Sequence, residues 1–118
     1  MAERAGLGRF MKQGDVCWYT FRAPDKRRPV LILTRNSAIS YLTSVTVAQI
    51  TTTIRGVPSE VPLTPLADGV FEECIVNAYN LQTIPKSQVG ELITQLSPER
   101  MREVRAAIEF ALGFHALT

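Results

Sequence analysis

From residue 15 to residue 85 the chain runs in short β-branched and aromatic segments, each cut off by proline, glycine or a polar cluster. No helical period is sustained across that stretch, so its apolar residues are expected to bury themselves as strands. "DVCWYTF" (15–21) is a first strand, rich in the side chains that suit a pleated surface. "PVLILT" (29–34) is apolar nearly throughout, which predicts a strand covered on both faces, with Pro29 at its first position. "SVTVAQITTTI" (44–54) alternates, with Val45, Val47 and Gln49 on one side and Thr46, Ala48 and Ile50 on the other. "EVPL" (60–63) is a short strand that Pro62 assigns to a sheet edge, and "CIVNAY" (74–79) and "LQTIP" (81–85) complete the set. Between them, "RAPDKRR" (22–28) and "RGVPS" (55–59) read as turns and "NSAISYLT" (36–43) as a helical turn or loop. "TPLADGVFEE" (64–73) is a loop with a tight turn at Asp68-Gly69.

The period changes in the last third. "KSQVGELITQL" (86–96) puts Val89, Leu92, Ile93 and Leu96 on one helical face and predicts a short helix, somewhat weakened by Gly90. "SPERMREVRAAIEFALG" (97–113) is a stronger helix. Ser97 suits the cap, Pro98 the first helical position, Glu99 the first turn and Gly113 the stop. Met101, Val104, Ala107, Ile108, Ala111 and Leu112 form its apolar face. The whole predicts a mainly β chain of α+β type: a compact antiparallel barrel carrying a C-terminal α-helix and one or two short helices. Residues 1–11 read as a flexible N-terminal arm and 12–118 as a single domain.

Composition argues against several kinds of chemistry. Cys17 and Cys74 lack Cys-x-x-Cys spacing and lie in strand-like surroundings, which predicts reduced core thiols. His115, the only histidine, lies near the C-terminus, so neither a histidine pair nor a zinc cluster is available. No metal or cofactor is expected. No apolar run approaches membrane-spanning length and the N-terminus has no signal-peptide core, so a cytoplasmic protein without a membrane partner is expected.

Charge is unevenly spread. Residues 1–56 hold nine Lys/Arg against three Asp/Glu, whereas residues 57–118 hold four against eight. The basic surplus peaks in "DKRRPVLILTRN" (25–36), where three cations abut an apolar strand. Either these are a solvated turn or they meet a polyanion. On the second reading Arg22, Lys26 and Arg27 form a phosphate-tracking rim, which Arg35 and Arg55 could extend. Trp18, Tyr19 and Phe21 are able to stack on bases, although strand alternation sends at least half of them to the core. Tyr79 and Asn80 are candidates for base reading, since a carboxamide offers both a donor and an acceptor.

In the order "KQGDVCWYTF…KRRPVLILTRN…VTVAQITTTI…CIVNAYNLQTIPKSQVGEL…MREVRAAIEFALG", the chain resembles the MazF/PemK toxins of bacterial toxin–antitoxin modules. The matching features are Gly14-Asp15 opening the first strand, Arg28-Pro29-Val30 opening the second, Thr51 ending the third, and Asn80-x-Gln82-Thr83 in the fifth. The resemblance implies an SH3-like barrel, a homodimer, and metal-independent, sequence-specific cleavage of single-stranded RNA through attack by the ribose 2′-hydroxyl. It also implies a cognate antitoxin whose C-terminal segment occupies the RNA groove. Arg28 and Thr51 would be the catalytic pair, with Thr52 and Thr53 as alternatives one and two positions on. Gly14, Asp15 and Pro29 would shape the site, and Tyr79, Asn80 and Gln82 would contact RNA. A guanidinium suits the charge-stabilising role, being always cationic and forked to fit phosphate. The competing expectation is a non-catalytic inhibitor of DNA gyrase on the same fold, like CcdB. The tail "FALGFHALT" lacks the tryptophan that such an inhibitor uses.

Overall fold

The structure is a computed structural model and describes residues 11–21 and 26–114. Six strands form one antiparallel sheet: β1 (Asp15–Phe21), β2 (Lys26–Ile32), β3 (Ser44–Thr51), β4 (Glu60–Leu63), β5 (Cys74–Pro85) and β6 (Leu92–Gln95). Single helical turns α1 (Asn36–Ile39) and α2 (Pro65–Asp68), a 3₁₀ turn at Lys86–Gln88 and the long α3 (Pro98–Leu112) complete the order. The sheet runs β4-β5-β3-β2-β1-β6 and curls into a half-barrel, with Pro62 on an edge strand as expected.

Both faces of the curled sheet are buried. Val16, Leu31, Ala48, Ile50, Val76 and Val104 belong to one core, which α3 covers from above β4 and β5. Cys17, Val30, Ile32, Ile39, Val45, Val47 and Ile84 form the other. Successive residues of β2 thus enter opposite cores, which is why its sequence is apolar without alternation. Met11, the last residue of the expected arm, is buried in the second core.

Asp68 ties the two edges of the half-barrel together. It lies at the end of α2, just beyond β4, and its main-chain oxygen accepts the Thr94 hydroxyl of β6 (2.9 Å). Its carboxylate accepts two bonds from the Arg100 guanidinium of α3 (2.9 and 3.2 Å) and one from the Thr64 N–H (2.9 Å). Gly69 then turns the chain with φ +76°, so close to β6 that an added Cβ would lie 2.7 Å from the Thr94 hydroxyl oxygen. The helix α3 begins and ends as its sequence predicts: the Ser97 hydroxyl accepts the Arg100 N–H, and Gly113 adopts the left-handed conformation. Leu112 departs from the expected apolar face and is 51% exposed.

Four expectations need correction. Residues 86–96 are not a helix but a 3₁₀ turn followed by β6. Apolar positions 89, 92, 93 and 96 fit either period, and pairing to β1 decides: the Gly90 N–H donates to the Trp18 carbonyl (2.8 Å), and the Trp18 N–H to the Glu91 carbonyl (3.0 Å). Leu92 and Ile93 accordingly enter opposite cores. The two strands expected over 74–85 are one, β5, which bulges where Ala48 pairs with Leu81 but Gln49 pairs with Asn77. The loop over 64–73 contains α2, capped by Thr64 and ended by Gly69.

Pro29 is the fourth. It lies within β2, opposite Trp18, rather than at the strand's first position. Both polar main-chain groups of Trp18 are engaged with Gly90 and Glu91, so Trp18–Pro29 is a non-hydrogen-bonded pair and the Pro29 nitrogen faces β3. The β2–β3 ladder runs only from Val30–Gln49 to Ile32–Val47. It stops where proline has no N–H to donate.

Candidate active site

Past Val30 and Gln49, β3 stays paired with β5 as far as Thr51–Ile75, while β2 stays paired with β1 as far as Phe21–Lys26. The two central strands therefore part, and a cleft of about 460 Å³ opens there. Its lining includes Trp18 from β1, Arg27, Arg28 and Pro29 from β2, Thr51 and Thr52 from the end of β3, and Val70, Phe71 and Glu72 from the loop before β5.

Arg28 and Thr51 both line this cleft. Val30 pairs with Gln49 at the end of the β2–β3 ladder, and each of the two lies two residues beyond that pair along its own strand. Among the described residues no ion pair engages the half-buried Arg28 guanidinium. The Thr51 hydroxyl oxygen accepts the Thr53 N–H (3.2 Å), which leaves its own proton to donate. Thr52 also lines the cleft, and Thr53 is outside it.

The other cations divide. Arg27 lines the cleft with its guanidinium 4.2 Å from the centre of the Trp18 ring. Lys26 is placed by its main chain at the far end of β2, and Arg22 lies outside the described residues. Arg35 and Arg55 are exposed and line no part of the cleft. Of the three neighbouring aromatics, Trp18 faces the cleft, whereas Tyr19 and Phe21 meet edge to face (4.8 Å) against the second core.

Gly14, Asp15, Tyr79, Asn80 and Gln82 do not line the cleft. Gly14 (φ +94°) and the fully buried Asp15 fix the start of β1. The Gly14 N–H donates to Ile32, and the Asp15 carboxylate accepts the Lys12 N–H (2.8 Å) and the Gln95 carboxamide (3.2 Å). Tyr79 and Asn80 are exposed on the β5 bulge. Gln82 pairs with Val47 and accepts a bond from the Gln49 carboxamide (3.0 Å). Alternation puts Gln49 on the face of Thr51, so Gln82, Gln49 and Thr51 form a polar strip leading to the cleft.

Phe71, Glu72 and Gln49 were not singled out from the sequence. Phe71 stacks on Trp18, with ring centroids 5.8 Å apart and planes 16° from parallel. Glu72 brings a carboxylate into a lining otherwise cationic and neutral. Cys74 also lines the cleft, but burial, then the Glu72 and Asp68 charges, push its thiol up to about 11, so it stays protonated at neutral pH. Among the described residues no three His, Cys, Asp or Glu side chains group as metal ligands. A forked cation, hydroxyl donors and stacked aromatics in one cleft suit a phosphodiester bearing unpaired bases.

A family model described as PemK-like, MazF-like toxin of type II toxin–antitoxin systems matches residues 12–112. The chain belongs to this family. A curated relative of this PemK/MazF chain, the probable endoribonuclease MazF2 of Mycobacterium tuberculosis, is 35% identical over 103 residues, covering 87% of the chain and 99% of that protein. Among solved structures, the Mycobacterium tuberculosis toxin MazF-mt6 superposes with a TM-score of 0.76 at 38% identity, covering 84% of this chain and 96% of that one. An endoribonuclease from Mycobacterial species, solved in complex with its cognate antitoxin, gives a TM-score of 0.76 at 27% identity, covering 87% and 95%. No described helix of this PemK/MazF member is long and apolar enough to cross a membrane.

Proposed function

We propose that the protein is the toxin of a toxin–antitoxin pair and an endoribonuclease that cuts single-stranded RNA without a metal, at the cleft between β2 and β3. One observation carries this reading: Arg28 and Thr51 line the same cleft, which opens where the β2–β3 ladder ends beside Pro29. The names of the relatives point the same way, and they speak against the gyrase-inhibitor alternative.

In the proposed reaction the ribose 2′-oxygen attacks the adjacent phosphorus. The O2′–P bond forms and the P–O5′ bond breaks. The proton lost at O2′ is matched by one gained at O5′, so the step needs no outside reactant. The products are a 2′,3′-cyclic phosphate and a 5′-hydroxyl. Negative charge builds on the non-bridging oxygens, where the Arg28 fork and the Thr51 hydroxyl donate. Losing one such donor costs about 10²–10³ in rate. Arg22, Lys26 and Arg27 add positive charge for the RNA backbone, and Tyr79, Asn80 and Gln82 contact the RNA beyond the cleft.

The protein acts as a cytoplasmic homodimer, and the C-terminal segment of its antitoxin occupies the same groove. An acidic antitoxin segment would compete with RNA for the same cations. Incubation of the purified protein with a long unstructured RNA in EDTA tests the activity. Discrete fragments with 5′-hydroxyl ends are expected, and they should vanish with Arg28→Ala while the circular dichroism spectrum is kept. RNA left intact by the wild type would refute the reading, and stalled gyrase in its place would establish the alternative.

A further inference from the structure

We propose that Phe71 is a stacking platform for an unpaired nucleobase next to the phosphate held by Arg28, an inference that rests on the RNA-cleaving reading above. Phe71 is 73% exposed and leaves a face of its ring open to solvent in the cleft. It is nevertheless held in position. Its neighbour Val70 and the nearby Cys74 are buried in the first core, so the short loop is pinned at both ends. Its ring lies nearly parallel to Trp18, and the Trp18 ring is itself engaged by the Arg27 guanidinium. The result is a series from cation to indole to phenyl that ends in an exposed aromatic ring.

The surroundings select the occupant. Phe71 shares its cleft with Arg27, Arg28, Thr51 and Thr52, and although Glu72 sets one carboxylate against these two cations, the balance of charge favours an occupant that is anionic beside the ring. A nucleotide carries a flat base and a phosphate one sugar apart. A ring already held by its neighbours loses little freedom when a base settles on it. Stacking is tolerant of sequence, so Phe71 positions the strand and leaves base choice to polar groups. It is a positioning residue, acting on where the scissile linkage sits rather than on its bonds.

Trp18 is the only tryptophan in the chain and reports on the stack directly. The probe is a 12-nucleotide RNA spanning a cut mapped on long RNA, with 2′-deoxyribose at the scissile position so that it binds uncut. A companion series carries an abasic nucleotide at each position in turn. Binding to the wild type should quench Trp18 fluorescence. Phe71→Leu, which keeps apolar bulk and loses the ring, should weaken binding about 5- to 150-fold, and Phe71→Tyr should restore it. One abasic position should cost the wild type the same factor and cost Phe71→Leu nothing more. Equal affinity of Phe71→Leu and wild type, or an abasic penalty that persists undiminished in Phe71→Leu at every position, overturns the proposal and leaves the activity standing. A Phe71→Leu protein that sediments as a smaller species than the wild type also overturns it, since a second copy would then be the cover. A wild type that neither binds nor cuts RNA defeats the parent reading as well.

Discussion

Arg28 and Thr51 could be singled out in the sequence because the family's marks sit on strand ends, where a buried strand aims a polar side chain out of the core. The structure adds that both line one cleft, opened where the β2–β3 ladder ends, which cannot be known before the strands are paired. Phe71 and Glu72 were illegible for the opposite reason: they lie on a loop with no periodicity, and only the return of β5 beside β3 brings them to the cleft. Tyr79 and Asn80 were singled out for what a carboxamide can read, and their position, exposed on the β5 bulge outside the cleft, depends on a pairing that the sequence does not show. Cys74 makes a prediction at this scale. With its thiol at about 11, against an ordinary 9.0, iodoacetamide should label it about a hundredfold more slowly in the native protein than in urea, read by mass spectrometry at pH 8. Equal rates would show an open, ionised thiol.

At the scale of elements, five strands and α3 were readable because each carries its own period and caps. Residues 86–96 were not, because four apolar positions satisfy both periods and only β1 arbitrates. Gly90→Ala separates the alternatives by sign. A helix there would gain about 1 kcal/mol from alanine. In the extended segment leading into β6 the new Cβ would lie 2.9 Å from the Trp18 carbonyl oxygen, a main-chain atom, so a loss of about 1–3 kcal/mol in urea unfolding is expected. Asp68 governs the join between edges. Burial raises its carboxyl, but the hydrogen bonds from Arg100 and Thr64 and the Arg100 charge outweigh this, and its net position is below the ordinary 3.8. Because the folded value is the lower one, the stabilisation is complete above pH 4 or so and is lost as pH falls through the folded value. Asp68→Asn should lower the melting temperature at pH 7 and reduce the difference from wild type at pH 2. A constant difference across that range would contradict the linkage.

For the whole molecule, the half-barrel follows from short strands whose residues must bury on both faces, and the class was legible for that reason. The barrel-like curl was expected with it, but the contact that joins the edges was not legible, because Asp68 reaches β6 and α3 across distant segments. Charge placement predicts a property of the entire groove. If Arg22, Lys26, Arg27 and Arg28 all meet phosphates, the affinity for the uncut oligonucleotide should fall with salt at a log–log slope of about −3. A slope near zero would remove the electrostatic part of the account.

The central claim is that Arg28 and Thr51 act on one phosphate, and a double-mutant cycle in single-turnover cleavage with EDTA tests it most directly. Arg28→Ala and Thr51→Val should each slow the reaction about 10²–10³-fold, and the double variant should fall well short of the product of the two losses. Full multiplication of the two losses, or either single variant cleaving at the wild-type rate, would contradict it.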